Sequence, residues 1–355
     1  MTELNEIRQE ARRNTRARFE QWAKNPKCEA NTISAVHNVR LDKAAEAAGI
    51  TPSFGQSPFA IARGDRFEAS LFYGDADRLR TALERRELLP DGSVGFLDLR
   101  LRMNGGSTVV SVDDALALTS QWLERLAVGD DEATIVAAPM IRIPRGVILP
   151  EALLIIDAVV VRRVDGMPRL TVGEVKVFPD RGGHTDPAQL ASARAQAGLY
   201  RRALELTLEA AGLKTQISVD PTGFLVFTWP GSNMPVVRAN EDLDYQAIRA
   251  ERGFARLEEV AQSIVRDEDF SADNAQLVDR VLHAPTSYSE ACLSFCDLAP
   301  RCFQRSLGAD LPIVLGAEAN QFLAGLTISR AVELLHGAPP ESDREVDLQR
   351  QLAQA

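Results

Sequence analysis

The spacing of apolar and polar positions divides the chain into a helical beginning, a β-rich middle and a helical end. A period near 3.6 predicts helices over residues 3–24, Ser57–Leu71, Asp75–Leu88 and Val112–Leu126, the last with Ser111 as its N-cap. A strand-like run, Gly95–Met103, precedes that fourth helix, and three more follow in quick succession: Ala133–Ile143, Ala152–Val164 and Arg169–Phe178. These form the expected core sheet. Asp186 followed by Pro187 is a cap with proline in the first turn, so a helix starts there and runs to Gly212. Strands are expected near Gly223–Trp229 and Pro235–Ala239. From Leu243 the pattern is helical to about Gly337, broken near Pro285, at a cysteine-rich stretch and over Gly308–Gly316. The expected organisation is an N-terminal helical segment over 1–56, an α/β core over 57–240, a helical region over 241–337 and a loose polar tail over 338–355.

The most informative window joins Leu153–Val161 to Leu170–Phe178 through Asp165-Gly166, a two-residue hairpin signal between apolar runs. With that pair as the turn, Asp157 and Glu174 each lie eight residues from it, and the register sets them opposite each other on one face. Lys176, two residues beyond Glu174, shares that face. Two carboxylates facing each other across a strand pair cost up to about 1 kcal/mol when exposed and more where water is excluded. A hard divalent cation, magnesium or manganese, would relieve the repulsion, with Lys176 adding a further positive charge. A metal held there could lower the pKa of a bound water and polarise a phosphoryl group, while Lys176 positions that water or steadies the developing charge. The structural alternative is an ion pair between Lys176 and one carboxylate, with the other carboxylate at a strand end.

Composition limits the partners. The 355 residues are 45% hydrophobic, as in an ordinary globule, and the net charge of −10 argues against a broad nucleic-acid footprint. A local one is still open: Arg8, Arg12, Arg13, Arg16 and Arg18 crowd the first helix, although Glu3, Glu6, Glu10 and Glu20 share it. Lysine occurs only at positions 24, 27, 43, 176 and 214, which makes Lys176 in an apolar strand conspicuous. No signal segment and no membrane-length apolar run stand out, so a cytoplasmic, membrane-independent protein is expected. The four histidines, His37, His184, His283 and His336, have no metal-ligand spacing; only His184, just ahead of the Asp186 helix, falls near the carboxylate window. There is no Gly-x-x-x-x-Gly-Lys phosphate loop, hence no sign of an ATPase engine, and no Gly-x-Ser-x-Gly elbow.

Asp157 with Glu174-Val175-Lys176 resembles the Asp…(Asp/Glu)-x-Lys core of the PD-(D/E)xK nucleases, and Gln196-Ala-Gly-Leu-Tyr200 resembles the Gln-x-x-x-Tyr motif of their RecB-like branch. Arg63-Gly64-Asp-Arg-Phe-Glu68 resembles the early Gly-x-x-x-His motif, with glutamate where histidine is usual. The resemblance implies a restriction-endonuclease-like mixed sheet flanked by helices. It implies catalytic Asp157, Glu174 and Lys176, metal ligands Glu68, Asp157, Glu174 and Val175, and DNA contacts by Gln196 and Tyr200. The activity implied is metal-dependent DNA cleavage, directed at single strands or ends, in repair, recombination or phage defence. A separate helicase or ATPase would unwind duplex substrates.

The cysteines are Cys28, then Cys292, Cys296 and Cys302. In a cytosolic chain these are free thiols or a metal site, zinc or iron–sulfur, rather than disulfides. One cysteine ahead of the nuclease motifs and three behind them resembles the iron-staple nucleases of the AddB and CRISPR-adaptation types, although the first gap here is one residue longer than theirs. The resemblance implies a structural 4Fe–4S cluster joining the N- and C-terminal helical segments. Two other functional classes stay open: a catalytically silent nucleic-acid-binding subunit of a larger complex, and a zinc-stabilised interaction protein.

Overall fold

The structure is a computed structural model that describes residue 19 and residues 21–54, 58–90, 92, 94–100, 112–143 and 152–352. The arginine-rich stretch of the first helix and the expected cap Ser111 lie outside these residues. In chain order the helices are α1 (Glu29–His37), α2 (Leu41–Ala47), α3 (Pro58–Leu71), α4 (Asp77–Glu84), α5 (Val112–Val128), α6 (Pro187–Ala210), α7 (Asp244–Ile264), α8 (Asn274–His283), α9 (Ala299–Gly308), α10 (Ala317–Leu323), α11 (Ile328–Leu335) and α12 (Asp343–Leu352). The strands are β1 (Gly95–Asp98), β2 (Ala133–Ala137), β3 (Met140–Ile143), β4 (Ala152–Ile155), β5 (Ala158–Val164), β6 (Met167–Pro179), β7 (Ser218–Val219), β8 (Thr222–Thr228) and β9 (Pro235–Asp242). Among the described residues no helix is long and apolar enough to cross a membrane. These residues fall into two compact units, one within Gln56–Glu259 and the other within Arg18–Gly55 and Val260–Ala355.

The first unit is mixed α/β. Its main sheet runs β1-β2-β5-β6-β8-β9, with β7 beside β6, and combines parallel pairs (β1 with β2, β6 with β8) and antiparallel ones (β2 with β5, β5 with β6, β8 with β9). The central strands carry nearly unbroken apolar runs because both faces are covered. On one face Ala158, Val160, Val175, Phe224 and Val226 pack with Phe67 and Leu71 of α3 and Leu79 and Leu83 of α4. On the other, Leu225 and Phe227 pack with Ala193 and Ala197 of α6. α6 is the crossover between parallel β6 and β8, the connection such a pair requires. It starts as the sequence predicts, with the Asp186 carboxylate accepting from the backbone N–H groups of Ala188 and Gln189, each at 3.0 Å.

The β5–β6 hairpin has the predicted register, Val164 opposite Met167 through to Ala158 opposite Gly173. Asp165 (φ 53°) and Gly166 (φ 80°) are both left-handed, as the twist of a two-residue hairpin demands. Two of the predicted strands, however, are broken. Ala133–Ile143 divides at Ala138, whose φ is 54°, and Pro139; Ala152–Val164 divides at Ile156 and Asp157. The outer halves, β3 and β4, leave the main sheet and pair with each other as a separate two-stranded sheet. Apolar residues continue through both breaks, since the outer halves bury Met140 and Ile155 against Ala115 of α5.

Gly173 sits where β6 meets β8 with no room for a side chain: a Cβ there would lie 2.1 Å from the Phe224 ring. Gly173→Ala is expected to destabilise the first unit by about 1–3 kcal/mol through overpacking, read as a lower urea midpoint at unchanged slope.

In the second unit both ends of the described chain build one core. Ile33 of α1 and Leu41, Ala44 and Ala45 of α2 pack with Val281 of α8, Leu298, and Ala299 of α9. The stretch expected to be a loose tail instead contains α12, whose Leu348 packs with Leu323, Ala331 and Leu334. Glu345 of α12 is buried and accepts a hydrogen bond at 2.8 Å from Arg330 of α11. The tail looks polar in sequence because only one stripe of this helix, Glu345, Leu348 and Leu352, turns inward.

Candidate functional site

The break between β4 and β5 positions Asp157. The hairpin ladder stops at Ala158 opposite Gly173, so Asp157 stands at the strand's entrance rather than in a strand pair with Glu174. Its carboxylate reaches across the hairpin and accepts the Val175 backbone N–H at 2.8 Å. Asp157 is 4% exposed and Glu174 fully buried, so both carboxylates are withdrawn from bulk water. Val175 faces the α3 side of the sheet, and alternation therefore turns Glu174 and Lys176 to the α6 side. The Lys176 ammonium forms an ion pair with the Glu174 carboxylate and donates to the Val175 carbonyl at 3.3 Å. Asp157, Glu174, Val175 and Lys176 thus form one continuous polar group, with Lys176, partly exposed, at its outer edge.

Gln196 and Tyr200 lie one turn apart on the inward face of α6, both buried, and the Gln196 amide donates to the Tyr200 hydroxyl at 2.5 Å. Glu68 is buried on α3, directly after Phe67, which packs on the opposite face of the sheet. Burial pushes the Arg100 guanidinium below its usual range, and the charge of Glu68 acts in the opposite direction. The structure therefore brings Asp157, Glu174, Val175 and Lys176 together but does not add Glu68 to them as a third ligand. Among the described residues no three His, Cys, Asp or Glu side chains are arranged to hold a metal ion. By donor chemistry the two buried carboxylates suit a hard divalent cation.

The four cysteines meet in the second unit. Cys28, Cys292 and Cys302 belong to its core, Cys296 packs against it, and all four are free thiols. Burial first, then the proximity of the other cysteines, raises the thiols of Cys28 and Cys302 above the usual range and pushes Cys296 up to about 12. Hydrogen bonds pull the other way: Cys28 receives them from backbone N–H groups and Cys302 from the Thr286 side chain. Cys292 Sγ receives the Asn25 amide at 3.3 Å and lies 3.4 Å from the Ser289 hydroxyl. Three buried thiols and a partly buried fourth share this core, and their donor chemistry is the kind that iron–sulfur clusters and zinc use, although the side chains are not arranged here to hold a metal.

Asn25 has no signature in the sequence. Its buried amide also donates to the Ser287 carbonyl at 2.6 Å, tying the start of the unit to the loop that carries Cys292. Asn25→Ala is expected to lower the unit's stability by about 1–3 kcal/mol through the unsatisfied carbonyl, measured as a drop in thermal midpoint.

A further polar centre has almost no signature either. Asp180 follows β6, is fully buried, and accepts from Gly183 N–H at 2.7 Å, Thr185 Oγ1 at 2.8 Å and Arg238 at 3.2 Å. Burial would raise its pKa, but these donors outweigh burial and hold it below the ordinary carboxylate range. Arg238 also donates to Glu241 at 2.8 Å, and Arg194 of α6 completes the network with Glu241 at 2.5 Å. The one signal in the sequence is an arginine directly after the apolar pair Val236-Val237 in β9.

Comparison of the chain with protein-family models, curated proteins and solved structures gives no match.

Proposed function

We propose that the chain is a metal-dependent nuclease of the RecB-like PD-(D/E)xK kind, with a restriction-endonuclease-like core and a structural 4Fe–4S cluster. The observation that carries this reading is the group at the mouth of the β5–β6 hairpin: buried Asp157 and Glu174, joined by the Val175 backbone, with Lys176 at the partly exposed edge. Asp157, Glu174 and the Val175 carbonyl would hold magnesium or manganese, which supplies Lewis acidity and an activated water. The hydrogen bond from Val175 N–H orients the Asp157 carboxylate without a metal. Lys176, once drawn from Glu174 toward substrate, stabilises charge on the phosphoryl group. Gln196 and Tyr200 brace each other on the same side of the sheet and would guide the DNA strand, and Glu68 of α3 would be a further ligand. Cys28, Cys292, Cys296 and Cys302 would hold the cluster.

The second reading, a silent nucleic-acid-binding subunit, is favoured by the closed Lys176–Glu174 ion pair, which balances one carboxylate without a metal. Incubating the anaerobically purified protein with end-labelled single-stranded and duplex DNA, with magnesium, manganese or chelator, separates the two. Metal-dependent loss of label or laddering is the expected result. Binding without cleavage in either metal would favour the silent subunit. A cytoplasmic site of action and a helicase or ATPase partner belong to the nuclease reading.

A further inference from the structure

Directly beyond β6, a cleft of about 500 Å³ opens between the end of α4 and the edge strand β9, lined by Arg85, Arg86, Asp180, Arg238, Asn240 and Glu241. Its acidic groups are largely neutralised in place. Asp180 is held by Arg238, and Glu241 by Arg238 and Arg194. Arg85 and Arg86 are exposed, and among the described residues neither side chain forms an ion pair, unlike Arg238 in the same cleft. Glu87, also in the lining, opposes them, so the three arginines and three acids of the lining balance, and Arg194 of α6, paired with Glu241 from outside the lining, adds one positive charge. In a chain of net charge −10, two adjacent unpaired guanidinium groups facing a cleft keep their hydrogen-bonding edges available to an anion. Asp180 is four positions beyond Lys176, at most about 14 Å of chain. The Asp180 end of the cleft therefore begins within a few nucleotides of the carboxylate group, and Arg85 and Arg86 line its far side.

We propose that this cleft is a second anion site, a groove in which Arg85 and Arg86 bind phosphates of a single nucleic-acid strand next to the carboxylate site. The proposal rests on the nuclease reading for its substrate class. Arg238, fixed by Asp180, Glu241 and the Gly183 carbonyl, forms the rigid wall. Arginine suits the role because its planar fork meets a phosphate with two parallel hydrogen bonds.

The test is equilibrium binding of a fluorescently labelled single-stranded oligonucleotide by the full chain in chelator, so that cleavage plays no part, over a series of salt concentrations. Arg85→Gln/Arg86→Gln is expected to weaken binding roughly tenfold and to reduce the salt slope by about 1.4, the value for two lost single-strand phosphate contacts. Arg85→Lys/Arg86→Lys should recover most of the slope, because the charges return. The control is Arg252→Gln/Arg256→Gln, exposed on α7 and outside the cleft lining, which should change affinity less than about twofold. An unchanged affinity in the cleft variant, or an equal loss in the control, would overturn the proposal. Metal-dependent cleavage by a protein whose binding ignores the cleft arginines would sink this site and leave the nuclease reading standing. Arginine-dependent binding without any cleavage would do the reverse.

Discussion

Asp157→Asn is expected to reduce metal-dependent DNA cleavage by about a thousandfold or more while leaving the thermal midpoint nearly unchanged. The substitution separates the two tasks of this side chain. In the folded protein its carboxylate accepts the Val175 N–H, and asparagine can accept the same bond through Oδ1, so the mouth of the hairpin keeps its geometry. What disappears is the negative charge, and with it the hard anionic ligand a divalent ion needs. Lys176→Ala should give a comparable loss of activity, since removing one electrostatic stabiliser of a transition state typically costs about 10² to 10³ in rate. It should also lower stability, because buried Glu174 loses its ion-pair partner, although the partial exposure of Lys176 lets water recover part of that cost. Activity and stability therefore move apart in Asp157→Asn and together in Lys176→Ala. Single-turnover cleavage of end-labelled DNA, beside thermal unfolding of each variant, reads both. Full activity in purified Asp157→Asn would end the nuclease reading, because no other carboxylate in the group could replace its ligand.

Much of this site is legible in the sequence alone. The Asp165-Gly166 turn fixes the hairpin register by local chemistry, and from that register follows the placement of Glu174 and Lys176 on one face. The helix carrying Gln196 and Tyr200 is equally readable, since Asp186-Pro187 is a start signal independent of tertiary context. The strand breaks are not. Ala138-Pro139 and Ile156-Asp157 interrupt apolar runs whose two halves are buried in different places, and hydrophobicity reports burial without saying against what. The carboxylates consequently read as a facing pair, when the break lets Asp157 turn to a backbone amide instead. Glu68 is less legible: a motif gives an order along the chain, whereas the face of the sheet on which α3 packs is decided by Phe67 and Leu71. The Asp180–Arg238–Glu241 network is held by contacts between β9 and the turn after β6, and no local pattern encodes those.

Cys28→Ser is the second substitution with a large expected effect, and the remoteness of Cys28 from the other three cysteines gives it its force. If the thiols were only core residues, replacing one sulfur by oxygen would cost about 1 kcal/mol, as an ordinary buried substitution does. If they ligate one metal group, Cys28 is the sole ligand from the N-terminal part of the chain, and its loss unfastens a closure spanning most of the sequence. Loop-entropy reasoning puts that closure on the order of 5 kcal/mol. Burial holds Cys28, Cys296 and Cys302 as thiols, so ligation would require a metal to displace their protons, and the N–H and hydroxyl donors directed at the sulfurs would stabilise the resulting thiolates. Anaerobically purified wild type is expected to contain iron and acid-labile sulfide in equal amounts and to absorb visible light. Cys28→Ser should lose most of both and unfold more than about ten degrees lower, the shift that a loss of this size gives a chain of several hundred residues. Zinc in place of iron and sulfide would retain the stapling argument but overturn the cluster. A metal-free wild type whose thermal midpoint barely responds to Cys28→Ser would return the four cysteines to the core as plain buried thiols.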